Sequence, residues 1–311
     1  MDNKIIIGAR GSKLSLTYAN KVKELILDLN EAKEKTIDIK VIKTSGDHFS
    51  SEKISEIGGK NLFCKEIEDE LIKNTIDIAV HSLKDMAAIE REELNVRAYI
   101  KRNDPRESFI SFKHDKLSEI NSGNIGSSSR RRELQVKLLN ENARIVSIRG
   151  NVDTRIKKIK DGEYEGAILA LAGVRMLNLE KYVKEVFPIE IFLPAIGQGI
   201  IAVQCRKNDK KIENILKKIN HDDTKICALS ERSFLKTIGG DCHTAVGGYA
   251  KLENNIISLK VQLFSDDGKK VFNLEKKGKF SEAELLGKKI GNEILKIAGG
   301  SFKKKNEYNF N

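Results

Sequence analysis

Several residue types are scarce in this chain of 311 residues. It has no tryptophan, three prolines and four cysteines, and aromatic side chains make up only 6%. So few aromatics, with no RNA- or DNA-reading motif, argue against a nucleic-acid partner. No stretch approaches the ~18 consecutive apolar residues that a membrane span requires. The run Ile5-Ile6-Ile7 is too short for the core of a signal peptide, so a cytoplasmic location is expected. There is no GxxxxGK[ST] loop and no strand-linked GxGxxG, which leaves no nucleotide-binding signature. Cys64, Cys205, Cys227 and Cys242 form no CxxC pair, and His48, His81, His114 and His221 are scattered, so no metal site is expected. No fixed-period repeat points to a solenoid.

Positive charge is plentiful: 56 Lys+Arg against 45 Asp+Glu, a net +11. Its two cations are distributed differently. Six of the 14 arginines lie between residues 130 and 155: Arg130, Arg131, Arg132, Arg144, Arg149 and Arg155. Residues 251–311 carry 13 lysines and no arginine. Arginine's planar fork grips a carboxylate bidentately where lysine offers a point charge. The first cluster therefore reads as an anion site and the second as a solvated surface.

The hydrophobic pattern alternates strand and helix. Lys4–Gly8 reads as a buried strand, Ser12–Leu29 as an amphipathic helix, and Thr36–Lys43 as a half-buried strand with Ile37, Ile39 and Val41 inward. A helix over Asn61–Lys73 and a strand over Ile76–Val80 follow, then a polar turn, His81–Asp85, and a strand over 94–100. Pro105 breaks the pattern. A second unit repeats it: strand Asn124–Gly126, helix 130–140, strand Arg144–Ile148, helix to Lys160, strand Gly166–Leu171. Such alternation implies parallel sheets with crossover helices. Strand Ile200–Cys205 is expected to rejoin the first unit. The last 90 or so residues differ. Helix 222–237, strands near 245–251, 255–264 and 270–275, and helix 281–297 predict a small α+β domain.

Ligands of open parallel sheets bind at the carboxyl ends of strands. Four polar turns fall at such ends: Ala9-Arg10-Gly11-Ser12, His81–Asp85, Ser127–Arg132 and Arg149–Arg155. Ser12 and Ser129 are suited to cap helices, but capping alone does not call for the arginines beside them. Ser127-Ser128-Ser129 before a helix brings N–H groups, hydroxyls and guanidinium groups together, a good anion site. Asp85 in such a cationic setting is suited to stabilise a transient substrate cation. Cys64 and Cys227 read as small buried hydrophobes. Cys242, in the loop Gly239-Gly240-Asp241-Cys242-His243-Thr244, reads as a nucleophile or attachment point.

Taken in order, these motifs resemble the porphobilinogen deaminase (hydroxymethylbilane synthase) family over nearly the whole chain. The stretches are Gly8–Ser12, Gly58-Gly59-Lys60-Asn61-Leu62-Phe63, Asp77–Asp85, Arg102–Arg106, Gly126–Arg132, Arg149-Gly150-Asn151-Val152, Leu193–Gly199 and Gly239–Cys242. The resemblance implies an α/β fold with two periplasmic-binding-protein-like lobes, a cleft between them, and a small C-terminal α+β domain. Domain 1 is expected at 1–101 and 199–218, domain 2 at 104–194 and domain 3 at 222–311. It implies a transferase that condenses four porphobilinogen molecules head to tail, each losing ammonia, on a dipyrromethane cofactor joined to Cys242 by a thioether. The product is hydroxymethylbilane. Asp85 is implied as the catalytic residue. Lys84, Ser129, Arg131, Arg132, Arg155 and Gln198 are implied to hold the cofactor, and Arg10, Ser12, Arg149 and Lys60 the substrate. A monomer without a metal is expected. Each pyrrole unit carries an acetate and a propionate, which fits the arginine cluster.

Some positions depart from the family pattern. Met176 stands where an arginine is usual, with Arg175 beside it. Arg130 replaces an apolar residue, Glu56 a common lysine, and Ala245 a frequent proline. A non-catalytic two-lobe anion-binding protein would also explain the arginines, but not Cys242 in its glycine loop.

Overall fold

The computed structural model describes residues 4–32, 35–45, 64–241 and 244–302. The chain divides into two compact units, residues 1–103 with 199–225 and residues 104–198 with 226–311.

In the first unit, strand β1 (Lys4–Arg10) carries the Ile5-Ile6-Ile7 run, and α1 (Lys13–Leu27) buries Tyr18, Ala19, Val22 and Ile26 on one stripe. β2 (Thr36–Ile42) follows, then α2 (Lys65–Ile72), β3 (Ile78–Ser82) and β4 (Leu94–Tyr99). Ile42, Ile67, Leu71, Ile76, Ala79 and Leu94 form a core between α2 and the sheet. β2 keeps its expected alternation only in part. Ile37 is buried, but Val41 is 54% exposed and Ile42 turns inward instead.

The second unit begins with β5 (Glu107–Ile110), then β6 (Asn124–Gly126), α3 (Arg130–Leu139), β7 (Arg144–Val146), α4 (Val152–Lys160), β8 (Gly166–Ala170), α5 (Leu171–Met176) and β9 (Val183–Val186). One core cluster holds Phe109, Ile125, Val136 and Phe192, and another holds Ile110, Ile148, Ile159 and Leu169. β10 (Ile201–Arg206) then returns to the first sheet, whose order is β2-β1-β3-β10-β4, while the second sheet runs β7-β6-β8-β5-β9.

Neither sheet is wholly parallel, which corrects the sequence expectation. β10 is antiparallel to both β3 and β4. β5 is antiparallel to both β8 and β9. Apolar periodicity identifies a strand but is blind to its direction. β5 and β9 also escape that pattern, since β5 begins on a fully buried Glu107 and β9 has no fully buried residue.

After α6 (Lys210–Ile219) and α7 (Asp222–Thr237), three antiparallel strands, β11 (Val246–Glu253), β12 (Ile256–Phe264) and β13 (Val271–Lys279), form their own sheet, followed by α8 (Ala283–Ala298). The first hairpin turns on Asn254 and Asn255, both with left-handed φ (49° and 63°), which two-residue turns of this kind require.

Candidate functional site

The parallel pairing of β1 with β3, Ile7 opposite Ile78, sets the ends of the two strands side by side. At the end of β1 stand Arg10 and Ser12. Ser12 caps α1 by accepting a hydrogen bond from the Ser15 N–H at 3.2 Å, and the Arg10 N–H donates to Ser15 Oγ at 3.1 Å. At the end of β3 the chain makes one short turn, Leu83–Asp85, anchored where the Leu83 N–H donates to the Ile200 carbonyl at 3.0 Å. The two ends share a small cavity of about 60 Å³, lined by Arg10, Ser12, Tyr18, Cys64, His81 and Asp85 among others. Lys84 and Asp85 are half-buried. The first unit thus brings together Arg10, Ser12 and Asp85, three of the sequence-predicted site residues.

Three lining residues received no role of their own from the sequence, although His81 opens the His81–Asp85 turn. Burial, and then the charge of Asp85, raise the pKa of the Tyr18 hydroxyl, which stays protonated. Burial pulls His81 down to about 4, against an opposing contribution from Gln204, so its imidazole is neutral. Cys64 is buried as expected, and its thiol also reaches the Asp85 carbonyl at 3.6 Å. No sequence signal marks these roles, because each depends on a partner brought in by the sheet. Cys205 fits the inert reading of a buried thiol: burial, then Glu213 and Asp209, push it up to about 12.

In the second unit, parallel pairing of β6 with β7 and β8 aligns the Ser127–Ser129 turn with the loop leading to Arg149. Ser128 Oγ donates to the Ile148 carbonyl at 2.8 Å and meets Ser147 Oγ at 2.9 Å, which ties these loops together. Ser129 is the N-cap of α3 and accepts from the Arg132 N–H. Arg149 and Arg155 are half-buried, and Arg155 Nε donates to the Gly150 carbonyl at 2.7 Å.

Three more residues that the resemblance assigns to the cofactor also have protein partners. Arg131 meets Glu107 Oε1 at 2.6 Å and the Leu193 carbonyl at 2.7 Å. Arg132 grips the same carboxylate with two bonds, at 3.1 and 2.8 Å. Gln198, fully buried, donates to the Pro105 carbonyl at 2.7 Å. Glu107 was missed by sequence, although buried arginines demand an anion. Two guanidinium groups against one carboxylate leave one net positive charge in the first turn of α3.

The stretch Leu193–Gly199 is a structural junction. Gln135 both donates to Leu193 O and accepts from its N–H, at 3.0 and 2.6 Å. The buried carboxylate of Glu231 accepts from Gly197 and Ala250 at 2.6 and 2.8 Å. Arg175, beside Met176, pairs with Asp104 at 2.9 Å, and Asp104 is also gripped by Arg106. Burial would raise the Asp104 pKa, but the bonds and charge of Arg106, with the charge of Arg175, hold it below the usual range.

Cys242 and Lys60 lie outside the described residues, as does Glu56. Among the described residues no cluster of three or more metal-ligating side chains occurs, and no helix is long and apolar enough to cross a membrane. A wider groove on the first unit is lined by Lys35, Lys211, Asn214, Ile215, Lys217 and Lys218. Among its described lining residues none carries a carboxylate.

Hydroxyl- and guanidinium-bearing loops thus stand at strand ends in each α/β unit, and in the first of them the Asp85 carboxylate lines one cavity with Arg10 and Ser12. Comparison with known proteins makes this specific. Residues 5–214 match the family described as "Porphobilinogen deaminase, dipyromethane cofactor binding domain", and residues 225–296 match "Porphobilinogen deaminase, C-terminal domain". The chain is 38% identical over 297 residues to the porphobilinogen deaminase of Coxiella burnetii, covering 96% of each chain. It is 37% identical over 296 residues to that of Syntrophomonas wolfei, covering 95% of this chain and 96% of the relative. It is 36% identical over 297 residues to that of Nitrobacter winogradskyi, covering 95% and 94%. The chain belongs to the porphobilinogen deaminase family. Among solved structures it is similar to the BvgS periplasmic VFT2 domain of Bordetella pertussis, at 9% identity and a TM-score of 0.42 over 70% of this chain and 87% of that one. At that score the likeness adds nothing to the assignment.

Proposed function

We propose that this chain is a transferase that condenses four porphobilinogen molecules head to tail, with loss of four ammonia molecules, and takes up one water to release hydroxymethylbilane. The observation that carries the reading at the site is Asp85, on its short turn beside Arg10 and Ser12, within a chain whose two parts both match the family. When ammonia leaves a porphobilinogen, positive charge develops on the pyrrole and its methylene carbon. A preorganised carboxylate stabilises that charge without reorganisation of solvent. Asp85 is that carboxylate, and it also accepts pyrrole N–H hydrogen bonds. Arg10 and Ser12 bind carboxylate groups of incoming substrate, and Arg149 and Lys60 are further proposed substrate-binding residues.

The cofactor of the family is a dipyrromethane, and the second unit's donor set fits it. The serine turn, the N-terminus of α3 and the net positive charge of the Arg131–Glu107–Arg132 cluster match a group bearing several carboxylates. Bound through Cys242, the cofactor supplies the nucleophilic pyrrole on which the chain grows. Ser129 and Arg155 contact its carboxylates directly, and Lys84 is a further proposed cofactor-binding residue. Arg131, Arg132 and Gln198 serve it mainly by holding the frame and the local positive potential. The domains are taken as 1–101 with 199–218, 104–194 and 222–311. The protein is proposed to work as a cytoplasmic monomer, without nucleic acid or membrane.

Intact mass tests the assignment. Protein made with porphobilinogen available carries two pyrrole units, and added porphobilinogen gives discrete heavier species. Cys242→Ser stays at the mass of the bare sequence. A wild-type chain of unmodified mass under both conditions would overturn the reading.

A further inference from the structure

A second polar side chain stands at the cavity beside Asp85 without a task in the condensation. His81, on β3, is 4% exposed and lines the same cavity as Arg10, Ser12 and Asp85. Among the described residues, no group lies within hydrogen-bond distance of its Nε2 atom. Buried polar atoms are rarely left so. At a cavity that receives substrate, the missing partner is a ligand group.

The packing behind His81 fixes how its ring is presented. β10 runs antiparallel to β3, with Ala202 opposite His81 and Gln204 opposite Ala79. His81 and Gln204 are thus diagonal neighbours on one face of the sheet, within reach of long side chains. Gln204 is fully buried and donates from Nε2 to Glu68 Oε1 of α2 at 3.2 Å, and Glu68 is itself 4% exposed. With its amide nitrogen held there, Gln204 has its carbonyl oxygen left as an acceptor. That oxygen also has no partner among the described residues, and Gln204 favours a proton on the His81 ring. Burial keeps the ring neutral. A neutral imidazole whose N–H is directed to Gln204 carries a bare lone pair on its other nitrogen.

We propose that His81 is a further substrate-binding residue, accepting a hydrogen bond from the aminomethyl nitrogen of porphobilinogen, with Gln204 and Glu68 as its positioning residues. The proposal rests on the condensation reading. Asp85 stabilises charge at the methylene carbon, which carries the nitrogen one bond away into the same cavity. At about 60 Å³ that cavity has room for a few water-sized groups, not for a substituted pyrrole. An alkylamine is protonated at neutral pH and offers N–H donors. As the C–N bond breaks, its electron pair departs with nitrogen as ammonia, and the positive charge stays on the methylene and pyrrole. No oxidant or reductant takes part. An uncharged acceptor orients the ammonium without a second anion, which would stabilise the ground state more than the separating charge.

The test separates the amine from the rest of the substrate. The cofactor-loaded, full-length chain is assayed with porphobilinogen. Binding of the analogue with methyl in place of aminomethyl is measured by calorimetry. His81→Phe keeps a flat ring and removes the acceptor, so kcat/KM falls about tenfold while the analogue's Kd stays within about twofold. His81→Gln, which restores an acceptor, recovers most of the loss. Gln204→Met removes the amide that orients the ring, lowers kcat/KM severalfold and again spares the analogue. A His81→Phe that weakens porphobilinogen and the analogue alike overturns the proposal, because the damage is then to the whole cavity. A kcat/KM within about twofold of the unaltered chain in both His81→Phe and Gln204→Met overturns it as well. Should His81→Phe fail to fold, Gln204→Met decides by the same two measurements. If the unaltered chain forms no tetrapyrrole, the condensation reading fails and the role of His81 with it.

Discussion

Asp85 faces a cavity in which the buried polar neighbours are kept neutral. Tyr18 holds its proton and His81 lacks one, both chiefly because burial penalises the charged form. Asp85→Asn keeps the shape and removes the charge, so kcat falls by about 10²–10³ while the unfolding midpoint changes little. A near-normal kcat at saturating porphobilinogen would remove Asp85 from this role. His81 gives a second expectation, in stability. Its proton affinity in the folded state, near 4, lies below the ordinary value of 6.5. As pH falls below 6.5 the unfolded chain binds a proton that the folded chain refuses, so stability is lost down to about pH 4. That loss amounts to roughly 3 kcal/mol. Urea unfolding at several pH values should show this slope in the wild type and a shallower one in His81→Gln, and parallel slopes would count against it. At this scale the sequence displayed Asp85, Arg10 and Ser12, because chemistry-bearing side chains cluster in turns. It did not display Tyr18 or Glu107, whose roles exist only through partners 67 and 24 or more positions away.

Elements were legible where their period was clean. The stripe of α1 and the start of α3 after Ser129 follow from spacing and capping. Strand direction was not legible, since an apolar run reads alike from either end. β10 fits between β3 and β4 only by running against both. Close approach between helices was also hidden. Gly287 in α8 lies so near α7 that a Cβ there would meet the Ser230 carbonyl oxygen at 2.2 Å and the Phe234 nitrogen at 2.9 Å. Both obstacles are backbone, so the helices must part to admit a methyl group. In an exposed helix Gly→Ala stabilises by ~1 kcal/mol. Here the sign reverses, and Gly287→Ala is expected to destabilise by about 1–3 kcal/mol in chemical denaturation. A stabilised variant would mean that the α7–α8 packing is looser than described.

For the molecule as a whole, charge is the property most easily misread. A net of +11 invites a polyanion as partner, but its two components do different work. Among the described C-terminal lysines, Lys277 and Lys279 are exposed on β13, and Lys276 pairs with Glu293. Exposed lysines of this kind keep a protein soluble and give little specific grip. The arginines behave otherwise. Arg131 and Arg132 are spent on Glu107 and Arg175 on Asp104, so the half-buried Arg149 is left among the few able to meet a substrate carboxylate. A hydrogen bond to a charged group contributes about 1.5–3 kcal/mol. Arg149→Gln is therefore expected to raise KM for porphobilinogen about tenfold or more, with a smaller change in kcat. Lys277→Gln combined with Lys279→Gln removes twice the charge and should leave kcat/KM within about twofold, since exposed lysines give little specific grip. Steady-state kinetics on the two variants at one ionic strength separates the cases. If the lysine pair raised KM as much as Arg149→Gln, substrate would be responding to the total charge of the chain rather than to a shaped site.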